Sequence, residues 1–250
     1  MISTKLYGRL GNQLFQIAAA IGTAKKNHTI YKIPRRSVNM AVWNTYINHL
    51  PEFLPEDNVD REHKENGHFP YQEIPYKKGE SLMLDGYFQT EKYFEQHRSE
   101  VLRAFGFEYE MLHGAVSIHV RRGDYLKYPT KHPLCTMQYY KKAVQYFYDK
   151  GHVLFIVYSD DLDWCRENFT EKEFGQEIKF LFSTSKDEMK DLESMSCCEH
   201  NIIANSSFSW WAAWLNRNKD KVVIAPEVWF GPDNSHLDTR DLVPESWVRM

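Results

Sequence analysis

The chain has 250 residues, of which 42% are hydrophobic and 15% aromatic, so it can form one large domain or two small ones. Its formal net charge of -3 at pH 7 argues against general nucleic-acid binding, which needs a basic surface. The apolar runs are far shorter than the roughly 20 residues that span a bilayer. Because the N-terminus lacks the apolar core of a signal peptide, we expect a cytoplasmic protein with no membrane span.

The four cysteines have neither the spacing of zinc ligands nor the density of a disulfide framework; they are Cys135, Cys165, Cys197 and Cys198. We therefore expect reduced thiols, which agrees with a cytoplasmic location. No metal site is predicted.

In the first part of the chain, apolar patterning predicts strands and helices in alternation. Strands are expected at 2–7, 29–33 and 81–88, and helices at 13–26 and 91–105. Residues 35–79 contain many prolines, charges and histidines, and we expect loops and short helices there. A domain boundary is placed near residues 107–114, which divides the chain into lobes 1–112 and 113–250.

The second part alternates more clearly. Strands are predicted at 116–120, 153–158, 178–182, 202–204 and 222–225, and helices at 139–150, 161–168, 187–198 and 209–217. On the first of these helices Tyr140, Ala143, Val144 and Phe147 fall on one face and predict its buried side. Strands separated by helices of this length indicate a parallel sheet covered on both faces.

The segment 119–125, HVRRGDY, follows a buried apolar strand and is the first candidate for anion binding. Two adjacent guanidiniums beside a glycine are suited to a phosphate, because arginine binds its oxygens through a planar fork and keeps its charge. The alternative is a surface Arg–Asp ion pair in a loop.

A second candidate is the glycine-containing turn 8–13, GRLGNQ, which joins a strand to a helix. Glycine lets a ligand approach the backbone, and the helix start offers unpaired N–H groups. The turn matches neither the dinucleotide fingerprint nor the Walker loop. The alternative is an ordinary tight turn.

A third candidate is the segment 205–211, NSSFSWW, whose hydroxyls lie where a helix begins. They could hold a phosphate, or Ser206 or Ser207 could simply cap the helix. Trp211, Trp214 and Leu215 have helical core spacing, whereas Trp210 lies off that stripe.

The segment 158–161, YSDD, also follows a strand, and a carboxylate there could accept hydrogen bonds from a guanine or a ribose. The alternative is an N-cap for the next helix, a role for which Asp160 is well placed. These candidates all lie at the carboxyl ends of predicted strands, where parallel sheets bind ligands.

Taken together, the segments 8–13, 119–125, 158–161 and 205–215 resemble the alpha-1,2-fucosyltransferases of glycosyltransferase family 11, and the resemblance continues to residues 226–230. The HVRRGDY and NSSFSWW segments are its most specific parts. The resemblance implies an α/β fold of GT-B type, with two Rossmann-like lobes facing across a cleft. It also implies a GDP-β-L-fucose donor bound mainly by the second lobe, an acceptor side in the first lobe, inversion at the sugar carbon and no required metal or cofactor.

The resemblance assigns roles residue by residue. Arg121 would stabilise the charge that develops on the leaving diphosphate, Arg122 would assist it or hold Asp124, and His119 would orient the donor or its loop. The remaining residues would bind the donor. Asp160, or Asp161 as second choice, would contact the guanine, and the phosphate and base would be surrounded by Asn205, Ser206, Ser207 and Phe208. The diphosphate would be approached from the first lobe by Arg9, Gly11 and Asn12.

An inverting transfer also needs a base for the acceptor hydroxyl, and Asp124 is the candidate because it shares the loop of the arginines. Its position beside two arginines equally fits a structural partner. The expected acceptor is a galactose-terminated oligosaccharide that the enzyme would meet at the inner face of the membrane. Transfer to another acceptor or from another GDP-sugar, and a non-catalytic GDP-sugar-binding subunit, are the alternatives. A phosphatase is disfavoured, because no nucleophile elbow or metal cluster is visible.

Overall fold

The computed structural model describes residues 1–34, 46–54, 56–67, 69–175 and 177–250. Contacts divide the chain into two compact units. The first comprises Met1–Phe107 and Leu237–Pro244, and the second comprises Glu108–His236 and Glu245–Met250. The lobes predicted from sequence differ from these units at 108–112 and at 237–244, a segment near the C-terminus that packs with the first unit.

The first unit contains a parallel sheet of β1 (Ile2–Thr4), β2 (Arg61–Lys64) and β3 (Leu82–Asp85), in the order β1-β3-β2. Strand β2 lies in the stretch where only loops and short helices were expected. Its charged sequence, REHK, has no apolar alternation, so pattern reasoning could not find it. The expected strand at 29–33 is reduced to isolated bridges at Tyr31 and Ile33. Residues 35–45 of the same stretch lie outside the described residues.

Helix α1 (Leu10–Lys26) begins within the segment 8–13 that was predicted as a turn, three residues earlier than predicted. It is buried on nearly all sides, because its alanines and glycine let neighbouring chain approach closely. A Cβ placed on Gly22 would lie 2.1 Å from the Tyr93 carbonyl oxygen, so this contact requires glycine.

The single helix predicted for 91–105 is wrong. The chain forms two short 3-10 turns, Glu91–Tyr93 and Glu95–His97, and then helix α2 (Arg98–Phe105). The break falls at Phe94, whose φ of −144° is not helical. Its ring is buried against Phe15, so tertiary packing overrides the local preference.

The second unit is built on a parallel sheet in the order β6-β5-β4-β7-β8-β9. Its strands are β4 (Leu112–Val120), β5 (Leu154–Ser159), β6 (Lys179–Phe182), β7 (Cys198–Ile202), β8 (Val223–Ala225) and β9 (Val248–Arg249). Strand β7 begins four residues before the predicted strand 202–204 and ends at Ile202, and the two-residue edge strand β9 was not predicted. The expectation of a parallel sheet is confirmed.

Helices of the second unit connect these strands: α3 (Met137–Tyr148), α4 (Leu162–Asn168), α5 (Glu171–Phe174), α6 (Glu188–Cys197) and α7 (Ser207–Leu215). The predicted apolar face of α3 is confirmed, because all four of its residues are buried in the core. Trp210, which lies off the predicted stripe, is as completely buried as Trp211. Helix α7 lies inside the unit, and its 3.6-residue stripe therefore does not mark the limit of burial.

Counted from β4, the strand order of the second unit is 3-2-1-4-5-6, the order of the doubly wound nucleotide-binding fold. The chain runs outward from β4 to β6 on one side and from β7 to β9 on the other. The order therefore reverses between β4 and β7. In such sheets ligands bind outside the carboxyl ends of the strands at this reversal, which directs attention to the residues after Val120 and Ile202.

Candidate functional site

Arg121 follows the last residue of β4 and makes ion pairs with two carboxylates. Its Nη1 lies 2.8 Å from Oδ2 of Asp160, and its Nη2 contacts Oδ1 of Asp124. Only 17% of the Arg121 side chain is exposed, so its charge is little screened by water. A guanidinium has five N–H donors, so an anion can be bound beside these two carboxylates.

Asp160, after β5, is tied to the arginine loop through both oxygens. Oδ1 accepts the Arg122 backbone N–H at 2.9 Å, and Oδ2 faces Arg121. A Cβ on Gly123 would lie 2.4 Å from Oδ2, so a side chain at 123 would require the loop or this carboxylate to shift. These contacts favour Asp160 as an anchor of the loop; its guanine contact stays a prediction.

The sequence suggested that Arg122 could hold Asp124, but in the structure Arg122 pairs with Asp161 instead. Its Nε lies 2.9 Å from Oδ2 of Asp161, and its guanidinium carbon lies 3.9 Å from the centre of the Trp164 ring. A cation over an indole face is an additional attraction. Arg122 therefore fastens the loop to the start of α4, and Arg121 is the partner of Asp124.

Asp161, not Asp160, is the N-cap of α4. Its Oδ1 accepts the Trp164 N–H at 3.3 Å, and the backbone at 161 is non-helical, with φ −143° and ψ 68°. The sequence placed the cap one residue too early because adjacent aspartates satisfy the same capping preference.

His119, the penultimate residue of β4, is a buried neutral imidazole. It is 5% exposed, and within the described residues its Nδ1 has no hydrogen-bond partner. Burial, and secondarily the charge of Arg121, lower its pKa to about 3. Its ring centre lies 5.4 Å from that of Phe208, which places it at the β4–β7 reversal.

The β7–α7 junction carries the predicted hydroxyls. Ser206 is the N-cap of α7 by backbone geometry, but its side chain makes no capping hydrogen bond. Side-chain capping therefore does not explain the serine at position 206. Ser206 is buried, and Ser207 and Phe208 are partly exposed in the first turn, where helix N–H groups favour an anion.

Asn205 is the residue whose surroundings differ most from its predicted role. It is 1% exposed, and its Nδ2 donates to the carbonyls of Pro133 and Trp229, both at 3.0 Å. Its Oδ1 accepts from the Cys135 thiol at 3.6 Å, and its carbonyl accepts from the Tyr125 hydroxyl at 2.9 Å. These bonds use its side chain inside the protein, which speaks against direct donor contact.

The first unit contains three of the predicted donor-binding residues, Arg9, Gly11 and Asn12. Arg9 is exposed at the N-cap of α1, and Gly11 is buried in the first turn. The Asn12 Oδ1 accepts from Gln89 at 2.8 Å. A Cβ placed on Gly8 would lie 2.5 Å from the Asn12 Nδ2. The left-handed φ of +78° at Gly8 also favours glycine.

Within the ranges that the structure describes, no group of three or more potential ligands is arranged to hold a metal ion. The four thiols are free, as expected. Among the described residues no helix has the length and apolar character needed to cross a membrane.

Sequence reasoning missed two residues of this site. Trp164 supports Arg122, and Tyr125, though quoted in the HVRRGDY segment, received no role. Tyr125 links Arg121, 5.4 Å from its ring centre, to Asn205. The signal for Tyr125 was its place in that segment; Trp164 had none, since an indole in an amphipathic helix usually marks core.

The second unit thus has the sheet of a nucleotide-binding fold, with an ion-paired guanidinium where its strand order reverses. The sequence model of glycosyltransferase family 11 matches residues 1–250, and the chain belongs to this family. The predicted family is thus confirmed.

Characterised relatives include an alpha-1,2-colitosyltransferase of Escherichia coli, 28% identical, with 100% of this chain and 99% of the relative covered. The O-antigen biosynthesis glycosyltransferase WbnK of Escherichia coli is 34% identical over 67% of this chain and 60% of its own length. The galactoside 2-alpha-L-fucosyltransferase SEC1 of Bos taurus is 26% identical over 83% of this chain and 62% of its own length. The chain therefore spans about six tenths of the last two relatives.

Among solved structures, the Arabidopsis thaliana FUT1 mutant R284K in complex with GDP has a TM-score of 0.51 and 12% identity. The match covers 97% of this chain and 74% of that one. The likeness is one of fold, and with the parallel sheets it confirms the predicted α/β fold of GT-B type.

Proposed function

We propose that this glycosyltransferase moves L-fucose from GDP-β-L-fucose to the 2-hydroxyl of a terminal galactose, with inversion. The observation that carries the proposal is Arg121, a largely buried guanidinium after β4 at the point where the strand order reverses. Family membership and the names of the relatives support it: SEC1 of Bos taurus is a galactoside 2-alpha-L-fucosyltransferase.

In the proposed reaction the acceptor oxygen attacks C1 of fucose, and the bond from C1 to the phosphate oxygen breaks. The electron pair of that bond leaves on GDP, and Arg121 stabilises the developing charge. The N–H groups at the start of α7, beside Ser206 and Ser207, are suited to the same diphosphate. Inversion follows from a single displacement.

The acceptor hydroxyl loses its proton during this displacement, and Asp124 is the proposed base. Its side chain is 39% exposed, which leaves the carboxylate accessible, and it contacts Arg121. Because deprotonation can be late in a displacement, a modest carboxylate base suffices. We propose that no metal takes part, so that EDTA leaves the rate unchanged. A cytoplasmic location, with acceptors presented at the membrane face, completes the proposal.

A second candidate donor is GDP-colitose, because a relative that matches over 99% of its own length is a colitosyltransferase. Colitose is fucose without the 3-hydroxyl, and a pocket built to bind a hydroxyl discriminates strongly against its absence. The two donors are therefore distinguishable by comparing kcat/KM for each with one galactoside acceptor.

The test is to incubate the protein with GDP-fucose and lactose and to measure GDP release and the linkage of the product. We expect acceptor-dependent GDP release and a 1,2-linked product. GDP should raise the melting temperature far more than ADP or UDP. A shift with GDP without release in the presence of an acceptor panel would support a non-catalytic subunit, and equal shifts with all three nucleotides would contradict the proposed donor.

A further inference from the structure

Three separate stretches of the second unit meet at Asn205. One is the loop that begins with Arg121 and ends before α3, reached through Pro133 and Cys135. Another is the segment after β8, reached through the carbonyl of Trp229 at 3.0 Å. The third is the start of α7 itself. An amide is the side chain that can donate twice and accept in so small a volume.

The same residue reaches Arg121 by a short path. The Tyr125 hydroxyl donates to the Asn205 carbonyl at 2.9 Å, and the Arg121 guanidinium carbon lies 5.4 Å from the Tyr125 ring centre. Burial raises the pKa of Tyr125 to about 12, so its hydroxyl stays protonated and remains a donor. The position of Arg121 is thereby coupled to the backbone at Asn205.

The loop and the segment after β8 are also bonded to each other. The Thr130 hydroxyl donates to Asp233 at 2.7 Å, and the Gly231 N–H donates to the Lys131 carbonyl at 3.0 Å. A Cβ on Gly231 would lie 2.3 Å from the Thr130 carbonyl oxygen. The loop and the segment after β8 are therefore hydrogen-bonded to each other, and Asn205 connects both to the start of α7.

We propose that Asn205 is a positioning residue for the transfer reaction: its side chain fixes the loop that carries Arg121, and its backbone carbonyl fixes Tyr125 beside Arg121. This inference rests on the proposed function. It replaces the donor contact expected from the sequence, because the Asn205 side chain is used by Pro133, Trp229 and Cys135. A displacement of Arg121 by a fraction of an ångström would lower the rate, because the transition state is stabilised only when its charge partner is correctly placed.

The test compares Asn205→Ala with a matched variant, Asn216→Ala. Both asparagines are 1% exposed and donate two hydrogen bonds through Nδ2, but Asn216 lies at the other end of α7, on Cys198 and Asn201. We expect both variants to lower the melting temperature. Only Asn205→Ala should lower kcat per folded molecule, by about 10-fold to 100-fold, with the KM for GDP-fucose changing less than threefold.

A milder variant guards against loss of folding. Tyr125→Phe keeps the ring beside Arg121 and removes only the bond to Asn205, so we expect a smaller loss of kcat and less than full additivity with Asn205→Ala. A rise in donor KM with unchanged kcat would mean that Asn205 binds the donor. Equal kcat losses in Asn205→Ala and Asn216→Ala, or none in Tyr125→Phe, would also overturn the proposal. GDP-induced stabilisation of the wild-type protein tests the donor site independently, so the two failures are distinguishable.

Discussion

Arg121 and Asp160 join the carboxyl ends of two neighbouring strands through an ion pair of 2.8 Å between Nη1 and Oδ2. Asp160 also accepts the Arg122 backbone N–H, so one carboxylate orients both the guanidinium and the loop that carries it. An arginine held in this way is preorganised, and preorganised charge needs little rearrangement when a leaving group becomes negative.

Replacing Arg121 tests the proposed diphosphate contact. We expect Arg121→Ala to lower turnover by roughly two orders of magnitude or more, as loss of one transition-state charge partner typically does. Arg121→Lys should recover only part of this, because an ammonium keeps the charge without the planar fork. Steady-state kinetics with GDP-fucose and lactose measure both, and a near-normal rate in Arg121→Ala would mean that another residue stabilises the leaving group.

Asp124→Asn separates a base from a structural partner of Arg121. If Asp124 is the base, we expect a folded variant with transfer nearly lost. Asp163→Asn is the control, since Asp163 is 98% exposed and pairs with Arg166 outside the site. Loss of folding in Asp124→Asn would identify a structural partner, and retained transfer would exclude the base role.

Gly123→Ala tests whether the close approach of the loop to Asp160 matters. The new Cβ would lie 2.4 Å from Oδ2, so either the carboxylate or the loop must move. We expect weaker GDP binding and a destabilisation of about 1–3 kcal/mol, the usual cost of overpacking. Isothermal titration with GDP and urea unfolding provide the measurements; unchanged values in both would show that the loop adapts without cost.

The neutral state of His119 predicts a pH dependence of stability. Its pKa is lowered to about 3 in the folded protein, whereas the unfolded chain takes up a proton near pH 6.5. The contribution is therefore fully present above about pH 6.5 and is lost as the pH falls toward 3. Between pH 7 and pH 5 we expect a loss of about 2 kcal/mol from this residue.

The measurement is the free energy of unfolding by urea at both pH values, in the wild type and in His119→Gln. The variant should lose less stability on acidification. His200, whose pKa is also lowered by burial, should preserve part of the slope. Identical slopes would show that His119 titrates in the folded protein as it does in the unfolded chain.

The sequence by itself determined the family and the parallel α/β class, and it pointed to the segments that form the candidate site. Periodicity identified the buried face of α3, because a helix in contact with one sheet records that contact every three to four residues. Motifs at the ends of strands identified the loop of Arg121 and the start of α7, because topology brings such ends to one edge of a sheet.

Only the tertiary structure decided which side chains pair. Asp124, Asp160 and Asp161 are alike in sequence terms, yet one contacts Arg121 from its own loop, one anchors that loop and one caps α4. Asn205 likewise donates hydrogen bonds to two separate segments, at Pro133 and Trp229. The physical reason is that helices and strands are specified by nearby residues, whereas the contacts of Asp160 with Arg122 and of Asn205 with Pro133 join residues tens of positions apart, which meet only after the chain has folded.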